Sequence, residues 1–267
     1  MFTFRRFTLL FFMILLGLNL WNVFLGKSPT SLINTHGALL YSMLFLAYFG
    51  ISFGMAFLPC TNFHHPVICS GTGDEKSVSL TFDDGPDPAK TPLALDVLKK
   101  HGVTAAFFCI GNNISGNPDL VQRIYHEGHI LGNHSLTHSK WFDLFPATKI
   151  RAELLETDRL LKELTGQSPL LFRPPFGVVN PMVSNALKKM HWTAVCWNIR
   201  SLDTINRDAE KTRKKILRQL KPGSVILLHD GSDFTEHHLD ELISGIRDAG
   251  YGIVPLDQLI KMPAYAT

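Results

Sequence analysis

The chain has 267 residues, of which 45% are hydrophobic and 18% are charged. This length suffices for one domain of about 200 residues and an additional segment. Before Asp74 the charged side chains are Arg5, Arg6 and Lys27, and the remaining 23 basic residues equal the 23 acidic ones. The formal charge of +3 therefore comes from the N-terminal segment, and we expect no nucleic-acid partner because the remainder has no excess of basic residues.

Two uncharged, mostly apolar segments, residues 7–26 and 37–58, occupy the N-terminal region. Each is about as long as the 20 residues that a helix needs to cross the hydrocarbon core of a bilayer. We predict a membrane anchor over residues 1–60, with two transmembrane helices joined by a loop near residues 27–36. A single span is the alternative. The first segment is too long for the apolar core of a signal peptide, and no small-residue cleavage pattern follows it.

The sequence leaves open which side of the membrane the rest of the chain faces. Arg5 and Arg6 favour a cytoplasmic N-terminus, and two spans would then return the chain to the cytoplasm. Lys27 in the predicted loop weakens this preference, and a single span would place the following domain outside. Cys60 directly precedes a predicted linker, residues 61–75, and Cys69 lies within it. The two cysteines could form a disulfide if this segment lies in an oxidising compartment.

Residues 76–267 alternate between strand-like and helix-like segments. Short apolar runs predict seven strands, at residues 78–82, 104–111, 129–133, 170–172, 192–199, 224–228 and 251–255. Apolar periodicity and terminal glycines predict helices at 92–101, 118–127, 147–164, 181–190, 208–220 and 236–249, with a short helix near the C-terminus. Such alternation implies a parallel sheet. The predicted fold class is α/β, a distorted or incomplete (β/α) barrel of about seven parallel strands.

Polar clusters follow five of the predicted strands. In chain order they are Asp83-Asp84, His134 with His138, Arg173-Pro174-Pro175-Phe176, Asp203, and His229-Asp230. The first cluster alone also fits a helix cap, because Asp and Gly are ordinary turn residues. In a parallel barrel, however, the carboxyl ends of all strands meet on one face. We therefore expect the five clusters to meet in one pocket.

The spacing of His134 and His138 favours a metal site. Two histidines four residues apart share a face when they lie on a helical turn, although a pair of solvated loop histidines has the same spacing. An aspartate from the first strand is available as a third ligand. Two imidazoles and one carboxylate leave positions for water on Zn²⁺ or a similar divalent ion. Such a site lowers the pKa of bound water to about 7.

Arg173 and His229 are the other candidates for chemistry. Two prolines after Arg173 fix the backbone, so the guanidinium is either held to orient a carboxylate or forms an ordinary surface charge. His229 ends a buried apolar run and fits either a general acid or a core histidine with a satisfied hydrogen bond. Cys109 and Cys196 lie in apolar runs and are expected in the core. No C-x-x-C spacing occurs, which argues against a thiolate zinc site.

With these clusters in view, the chain from about residue 78 to its C-terminus resembles the polysaccharide deacetylases of carbohydrate esterase family four, the NodB-homology domain. Three motifs carry the resemblance and are highly specific in combination: TFDDGP at 81–86, HSLTH at 134–138 and RPPFG at 173–177. The resemblance implies that Asp84, His134 and His138 bind the metal. It also implies that Asp83 is the general base and that Arg173 holds it.

The fourth and fifth motifs of the family match through Trp197, Asp203 and Leu228-His229. The resemblance implies that Asp203 orients His229 and that His229 is the general acid. Leu228 would line the pocket for the acetyl methyl group, and Trp197 would contact the substrate. Many family members carry an aromatic residue where this chain has Thr204. The resemblance therefore does not decide which surface packs against the sugar.

Phe176 and Pro175 complete the expected substrate contacts. The backbone N–H of Phe176 would help to stabilise an oxyanion. Many family members have tyrosine at this position, but a backbone donor survives that exchange. The catalytic domain of this resemblance is expected at residues 76–267.

The implied activity is metal-dependent hydrolysis of N-acetyl groups on amino-sugar residues of a polysaccharide or peptidoglycan-type glycan. One divalent ion is expected, Zn²⁺ first and Co²⁺, Ni²⁺ or Fe²⁺ as alternatives. Two other functions stay open: a deacylase or deformylase of a lipid-linked sugar precursor, and a non-catalytic glycan-binding protein. The expected partners are therefore an N-acetylated glycan or lipid-linked sugar, and a bilayer of the bacterial inner-membrane type through residues 7–58. No G-x-S-x-G pattern supports a serine hydrolase.

Overall fold

The computed structural model describes residues 2–25, 35–188, 190, 192–206 and 208–266, without the side chains of residues 35 and 36. Two long helices open the chain, α1 (Phe4–Phe24) and α2 (Thr35–Ala56). Both are long and apolar enough to cross a membrane, and their side chains are almost entirely exposed. Most of the loop predicted at residues 27–36 lies outside the described residues.

The two helices pack side by side, with the start of α1 near the end of α2. The hydroxyl groups of Thr8 and Tyr48 are 3.0 Å apart, and the rings of Phe11 and Tyr48 stack at 4.5 Å. The backbone N–H of Phe4 donates to the carbonyl of Phe63, just beyond α2, at 2.7 Å. The first residues of the chain and the segment after α2 therefore lie at the same end of a helical hairpin.

The described remainder forms a parallel sheet of nine strands in the order β1-β6-β5-β4-β3-β2-β8-β7, with β9 beside β2. The strands are β1 (Val67–Ile68), β2 (Ser77–Asp83), β3 (Ala106–Cys109), β4 (Ile130–Asn133), β5 (Leu171–Phe172), β6 (Thr193–Val195), β7 (Ile199–Arg200), β8 (Ser224–His229) and β9 (Gly252–Ile253). This parallel-strand half-barrel confirms the predicted fold class. The prediction of seven strands was low by two, because residues 192–199 divide into β6 and the start of β7, and residues 61–75 contribute β1.

Helices cover the outside of the sheet. They are α3 (Thr91–His101), α4 (Gly111–Gly116), α5 (Pro118–His126), α6 (Ala147–Thr165), α7 (Pro181–Leu187), α8 (Ala209–Gln219), α9 (Asp233–Asp248) and α10 (Leu256–Ile260). Proline in the first turn and a left-handed glycine at the end delimit α3, as expected for a residue without an N–H and a residue without Cβ. The sequence did not predict α4, and α7 ends before the predicted residue 190.

Alternate residues of the strands feed two cores. Phe82 and Phe107 stack at 4.9 Å in the core between the sheet and its outer helices. Phe108 points the other way and joins Val225 and Leu256 in the interior of the half-barrel. Successive side chains of a strand point to opposite faces, so one apolar run supplies both cores and leaves its carboxyl end free for polar groups.

Cys60 and Cys69 form a disulfide, which joins the segment after α2 to the end of β1. The other two cysteines, Cys109 and Cys196, are buried free thiols, as predicted. The anchor and the sheet are thus linked covalently within ten residues of each other along the chain.

Candidate active site

The carboxyl ends of strands β2, β4, β5, β7 and β8 place the polar clusters in one pocket. Asp83 is the last residue of β2, and it pairs in register with Phe108 of β3 on one side and with His229 of β8 on the other. Asn133, which precedes His134, ends β4, and Arg173 follows β5. The prediction that the clusters would meet is therefore confirmed by the strand order.

A buried ion pair forms the floor of the pocket. The guanidinium of Arg173 is fully buried and donates from Nη1 to Asp83 Oδ1 at 2.6 Å and to Thr81 Oγ1 at 2.8 Å. It also donates to the carbonyls of Val195 and Cys196, both at 3.2 Å, and lies 4.1 Å from the centre of the Phe108 ring. These contacts fix the guanidinium and leave Asp83 Oδ2 as the oxygen that faces the pocket, 3.8 Å from His134 Nε2.

Asp84, His134 and His138 form a three-residue cluster above this floor. Asp84 Oδ1 lies 3.4 Å from Nε2 of each histidine. His134 Nδ1 lies 2.7 Å from the carbonyl of Arg173. Because a carbonyl only accepts, Nδ1 carries the proton and Nε2 presents its lone pair to the cluster. The predicted ligand set is brought together as expected.

The backbone around the cluster differs from the predicted helical turn. Residues 134–138 form a loop in which Ser135 and His138 have φ values of 67° and 45°. Asp84 has a φ of 73°. Left-handed conformations are uncommon for residues with a Cβ and concentrate at functional sites. The prediction that the two histidines share a helical face was therefore wrong, and the loop brings them together instead.

Two side chains that the sequence did not single out hold this loop. Asn133 donates from Nδ2 to the carbonyl of Leu154 and accepts from the N–H of Ser135, at 2.8 and 2.9 Å. Glu153 of α6 is buried and accepts from the hydroxyl of Thr137 at 2.9 Å and from its N–H at 3.2 Å. In the sequence Glu153 is a polar residue of an amphipathic helix, and a partner 16 residues away leaves no local signal.

His229 lies on the opposite side of Asp84. Its Nδ1 is 2.8 Å from Asp203 Oδ1, and its backbone N–H donates to Asp203 Oδ2 at 2.8 Å. The hydroxyl of Ser201 donates to Asp203 Oδ1 at 2.6 Å. These bonds turn His229 Nε2 towards the pocket, 3.9 Å from Asp84 Oδ2.

The ionisation states follow from these contacts. Burial alone would raise the pKa of Asp84, but the proximity of His134, His138 and His229 lowers it to about 2. Burial and the neighbouring His134 lower the pKa of His138, so that its ring is neutral near pH 7. Burial alone would lower the pKa of His229, but the hydrogen bond and charge of Asp203 raise it to about 9. The pocket thus combines an anionic ligand, a neutral imidazole and a protonated imidazole.

The cluster fits a divalent metal ion. Asp84 Oδ1 is a buried oxygen with no hydrogen-bond partner among the described residues, and buried polar atoms without a partner are rare unless something absent satisfies them. One ligand atom from each of Asp84, His134 and His138 lies within 4.8 Å of the others. Two neutral imidazoles and one carboxylate are ligands that zinc and related ions accept.

A family model described as polysaccharide deacetylase matches residues 70–195. The chain is 36% identical over 196 residues to the peptidoglycan-N-acetylmuramic acid deacetylase PdaA of Bacillus subtilis, and the match covers 71% of this chain and 73% of that protein. This chain belongs to the polysaccharide deacetylase family.

Two further relatives of this chain are also deacetylases by their names. It is 34% identical over 184 residues to the peptidoglycan-N-acetylglucosamine deacetylase PgdA of Listeria monocytogenes, which covers 69% of this chain but only 39% of PgdA. The chain therefore spans well under half the length of that relative. A crystal structure of a peptidoglycan N-acetylglucosamine deacetylase in complex with an N-oxidanyl-benzamide superposes with a TM-score of 0.71 at 31% identity, covering 75% of this chain and 95% of the other.

The residues expected to bind substrate occupy two depths. Phe176 is half exposed, has a φ of 58°, and its ring lies 4.7 Å from the ring of His138. Trp197 is partly buried beneath Gly177, where a Cβ would lie 2.7 Å from the indole ring. Pro175 and Leu228 are buried. Phe176 is therefore the one of the four that borders the open side of the pocket, and the other three lie behind it.

Asp230, which follows His229, is a buried carboxylate beside the pocket. It accepts a short hydrogen bond from Thr91 at Oδ2, and a Cβ on Gly85 would lie 2.0 Å from that oxygen. Burial and the nearby charges of Asp84 and Asp87 raise the pKa of Asp230 to about 7. The close approach explains why a glycine follows Asp84.

Proposed function

We propose that this protein is a membrane-anchored, metal-dependent hydrolase that removes N-acetyl groups from amino-sugar residues of a glycan. One observation carries the proposal. The pocket holds an arginine-bound carboxylate, a cluster of three metal-binding side chains and an aspartate-bound histidine, all within 4 Å of Asp84 or His134. The names of the relatives, which are deacetylases of N-acetylglucosamine and N-acetylmuramic acid residues, support an amide on an amino sugar as the substrate.

Asp83 is the general base of this proposal. Arg173 binds its Oδ1 and so leaves Oδ2 as the free acceptor. A general base must lie within hydrogen-bond reach of the proton that it removes. Oδ2 lies beside His134, so a water molecule at the cluster is within its reach. The buried guanidinium keeps the carboxylate in one orientation during this transfer.

Asp84, His134 and His138 would hold the metal ion, with Zn²⁺ the first candidate. When bound, such an ion supplies Lewis acidity and lowers the pKa of a coordinated water to about 7. The hydrogen bond from His134 Nδ1 to the carbonyl of Arg173 fixes the tautomer of this ligand. A hydrogen bond of this kind orients a ligating histidine and makes it more basic.

His229 is the general acid. An amine leaves poorly unless it is protonated, and His229 presents a protonated Nε2 to the pocket because Asp203 holds Nδ1. The proton passes from Nε2 to the amide nitrogen as the bond to the acetyl carbon breaks. The products are acetate and a free amine on the sugar. The N–H of Phe176, at the rim beside His138, is the proposed donor to the developing oxyanion, and Leu228 backs the site that receives the methyl group.

The test uses the full-length chain in detergent micelles, loaded with zinc. Acetate release from N-acetylglucosamine oligomers would be measured for the wild type, for Asp83→Asn and for His134→Ala, each with and without chelator. We expect release that depends on metal and is lost in both variants. A folded, zinc-loaded protein that releases no acetate from these oligomers would exclude a broad oligosaccharide deacetylase and favour a lipid-linked substrate or a glycan-binding protein.

We further propose that residues 1–60 anchor the protein, that 76–267 form the catalytic domain, and that this domain lies on the outer side of a bacterial-type inner membrane. The disulfide between Cys60 and Cys69 supports this side, because disulfides persist in oxidising compartments and are rare in the cytosol. A hairpin of two spans places the N-terminus on that same side. Arg5 and Arg6 favour the opposite orientation.

Labelling with a membrane-impermeant maleimide in spheroplasts decides between the two orientations. After treatment with an impermeant reductant, Cys60 and Cys69 should be labelled if they face outwards. The matched control is Lys27→Cys in the loop that the sequence predicts between the two spans, and this cysteine should stay unlabelled until the membrane is permeabilised. Labelling of the residue 27 cysteine in intact spheroplasts would contradict an outward-facing domain.

A further inference from the structure

The loop that carries Arg173 and Phe176 is fastened to the end of a candidate membrane span. Val179 N–H donates to the carbonyl of Ala56, the last residue of α2, at 2.9 Å. Five residues further, the hydroxyl of Ser184 donates to the carbonyl of His64 at 2.8 Å. Two hydrogen bonds thus hold the segment from β5 to α7 against the end of α2 and the residues that follow it.

This fastening limits the distance between the pocket and the bilayer. The ring of Phe176 lies 4.7 Å from that of His138. Val179 is three positions after Phe176, a separation that an extended chain spans in at most about 11 Å. The metal-binding cluster therefore lies on the order of 20 Å from the end of α2. The polar layer of a bilayer is about 6 Å deep on each side, so the pocket lies close to the surface of a membrane that α2 spans.

Exposed apolar side chains form a rim on this loop and on the neighbouring turn at residues 141–144, where the carbonyl of Asp143 accepts from Asn180 Nδ2. Trp141, Leu144 and Phe176 are 56%, 65% and 51% exposed. Trp141 and Leu144 belong to one turn, since Leu144 N–H donates to the carbonyl of Trp141 at 2.9 Å. Clustered apolar side chains on the surface of a protein mark a contact with another molecule or with a membrane.

A groove of about 300 Å³ separates this rim from α2. Phe53 of α2 and Phe57, the residue after the end of α2, form one wall, and Leu144, Val178 and Pro181 form the other, with Asp143 and Asn180 also lining the groove. Because one wall is the exposed face of a candidate span, the groove continues the surface that α2 presents to lipid. A hydrocarbon chain rising from the bilayer is the occupant that this continuity favours.

The opposite side of the pocket is polar. Beyond His229 a groove of about 740 Å³ is lined by Asp203, Thr204, Asn206 and His237, among others. Hydroxyl, amide and imidazole groups suit the hydroxyl groups of sugars. The metal-binding cluster thus lies between an apolar groove that leads to the membrane and a polar groove that leads away from it.

We propose that the substrate is an N-acetylated amino sugar joined to a membrane lipid. This substrate class rests on the deacetylase activity proposed above. The lipid chain occupies the groove between α2 and Leu144. The acetamido group lies at Asp84, His134 and His138, and any further sugars extend towards His237. A glycan strand far from the membrane is out of reach of a pocket that is fastened to the end of α2.

The experiment compares two probes on the full-length protein, loaded with zinc, in vesicles of phosphatidylethanolamine and phosphatidylglycerol. One probe is di-N-acetylchitobiose in solution, and the other is the same disaccharide on a dialkylglycerol anchor in the vesicle. Leu144→Asp places a charge in the apolar groove. Leu155→Asp is the matched control, because Leu155 is 47% exposed on α6 and borders a different pocket, with Pro169 and Tyr265.

We expect kcat/KM for the anchored probe to exceed that for the soluble probe by at least about tenfold. Leu144→Asp should lower kcat/KM for the anchored probe by about fivefold to tenfold, the effect of losing one leucine contact with a lipid chain, and should leave the soluble probe within about twofold. Leu155→Asp should change neither. Phe57→Ser, which removes a ring from the other wall, should repeat the pattern of Leu144→Asp.

The outcomes separate the two proposals. Equal turnover of both probes, or equal losses on both in Leu144→Asp, would overturn the lipid-linked substrate and leave deacetylation standing. No acetate from either probe would overturn deacetylation and the lipid-linked substrate together. Preference for the anchored probe that is lost only in the groove variants supports both.

Discussion

Asp203→Asn removes one negative charge from beneath His229 and keeps the shape of the side chain. Asp203 accepts from both Nδ1 and the backbone N–H of His229, each at 2.8 Å. Burial alone would lower the pKa of His229, and the bond and charge of Asp203, helped by Asp83 and Asp84, raise it to about 9. In Asp203→Asn, burial still lowers the pKa of His229, and the charge of Asp203, which raises that pKa, is lost. We therefore expect the pKa of His229 to fall by roughly one to two units.

The direction of the effect on activity follows from the role of His229. A general acid must be protonated, and the protonated fraction falls as pH rises through its pKa. The alkaline limb of the profile of kcat/KM against pH should therefore move to lower pH in Asp203→Asn. At pH 9 half of His229 is protonated when its pKa is about 9, and about a tenth to a hundredth when its pKa is one to two units lower, so at pH 9 we expect kcat/KM for an amide substrate to fall by about fivefold to fiftyfold.

The assay measures both proteins at the same zinc loading on two substrates, an N-acetylglucosamine oligomer and 4-nitrophenyl acetate. The nitrophenolate leaves without a proton, so the ester should lose less than about threefold in the variant. An alkaline limb that does not move, or an equal loss on amide and ester, would refute the assignment of His229 as the acid that Asp203 positions.

Three further variants test the remaining parts of the site. Asp84→Asn removes a proposed metal ligand, so the zinc retained after dialysis should fall from near one ion per chain to below about a tenth. Asp83→Asn should retain its zinc and release acetate about 10²-fold more slowly. Loss of zinc from Asp83→Asn would contradict the assignment of Asp84 as the ligand and Asp83 as the base. Arg173→Met leaves Asp83 buried without its cation, a change that costs about 3–5 kcal/mol and lowers Tm by about 10 °C; an unchanged melting curve in detergent would contradict the buried pair. Glu153→Gln should weaken zinc binding, measured by competition with a chelator, while kcat of the fully loaded protein stays within about threefold.

Several elements were predicted because their signals are local. The apolar run of β8 is continuous, as expected of a strand buried on both faces, whereas Ser79 and Thr81 alternate with the apolar residues of β2. Helix α3 has proline at its start and glycine after its end, so its bounds were predicted to within one residue. The convergence of the site was also predictable, because a parallel sheet brings the carboxyl ends of its strands together.

Other features have no local signal. Strands β1 and β7 have two residues each, which is too short for a periodicity. The left-handed backbone at Asp84 and Ser135 depends on packing around the pocket, since neither residue type requires it. The disulfide depends on the distance between Cys60 and Cys69, which the sequence does not give.

The two adjacent carboxylates show how one backbone turn divides their roles. Asp83 ends a strand, so its side chain follows the alternation of β2 and is buried against Arg173. Asp84 has the same chemistry, but its φ of 73° turns its carboxylate towards the histidines. Two negative charges on neighbouring residues repel, and each carboxylate has a different partner here, the guanidinium of Arg173 for Asp83 and the imidazoles of His134 and His138 for Asp84. Arg173 follows β5, and the two histidines lie in the loop after β4. The strand order brings both elements to the end of β2, and only then can Asp83 act as a base while Asp84 acts as a metal ligand.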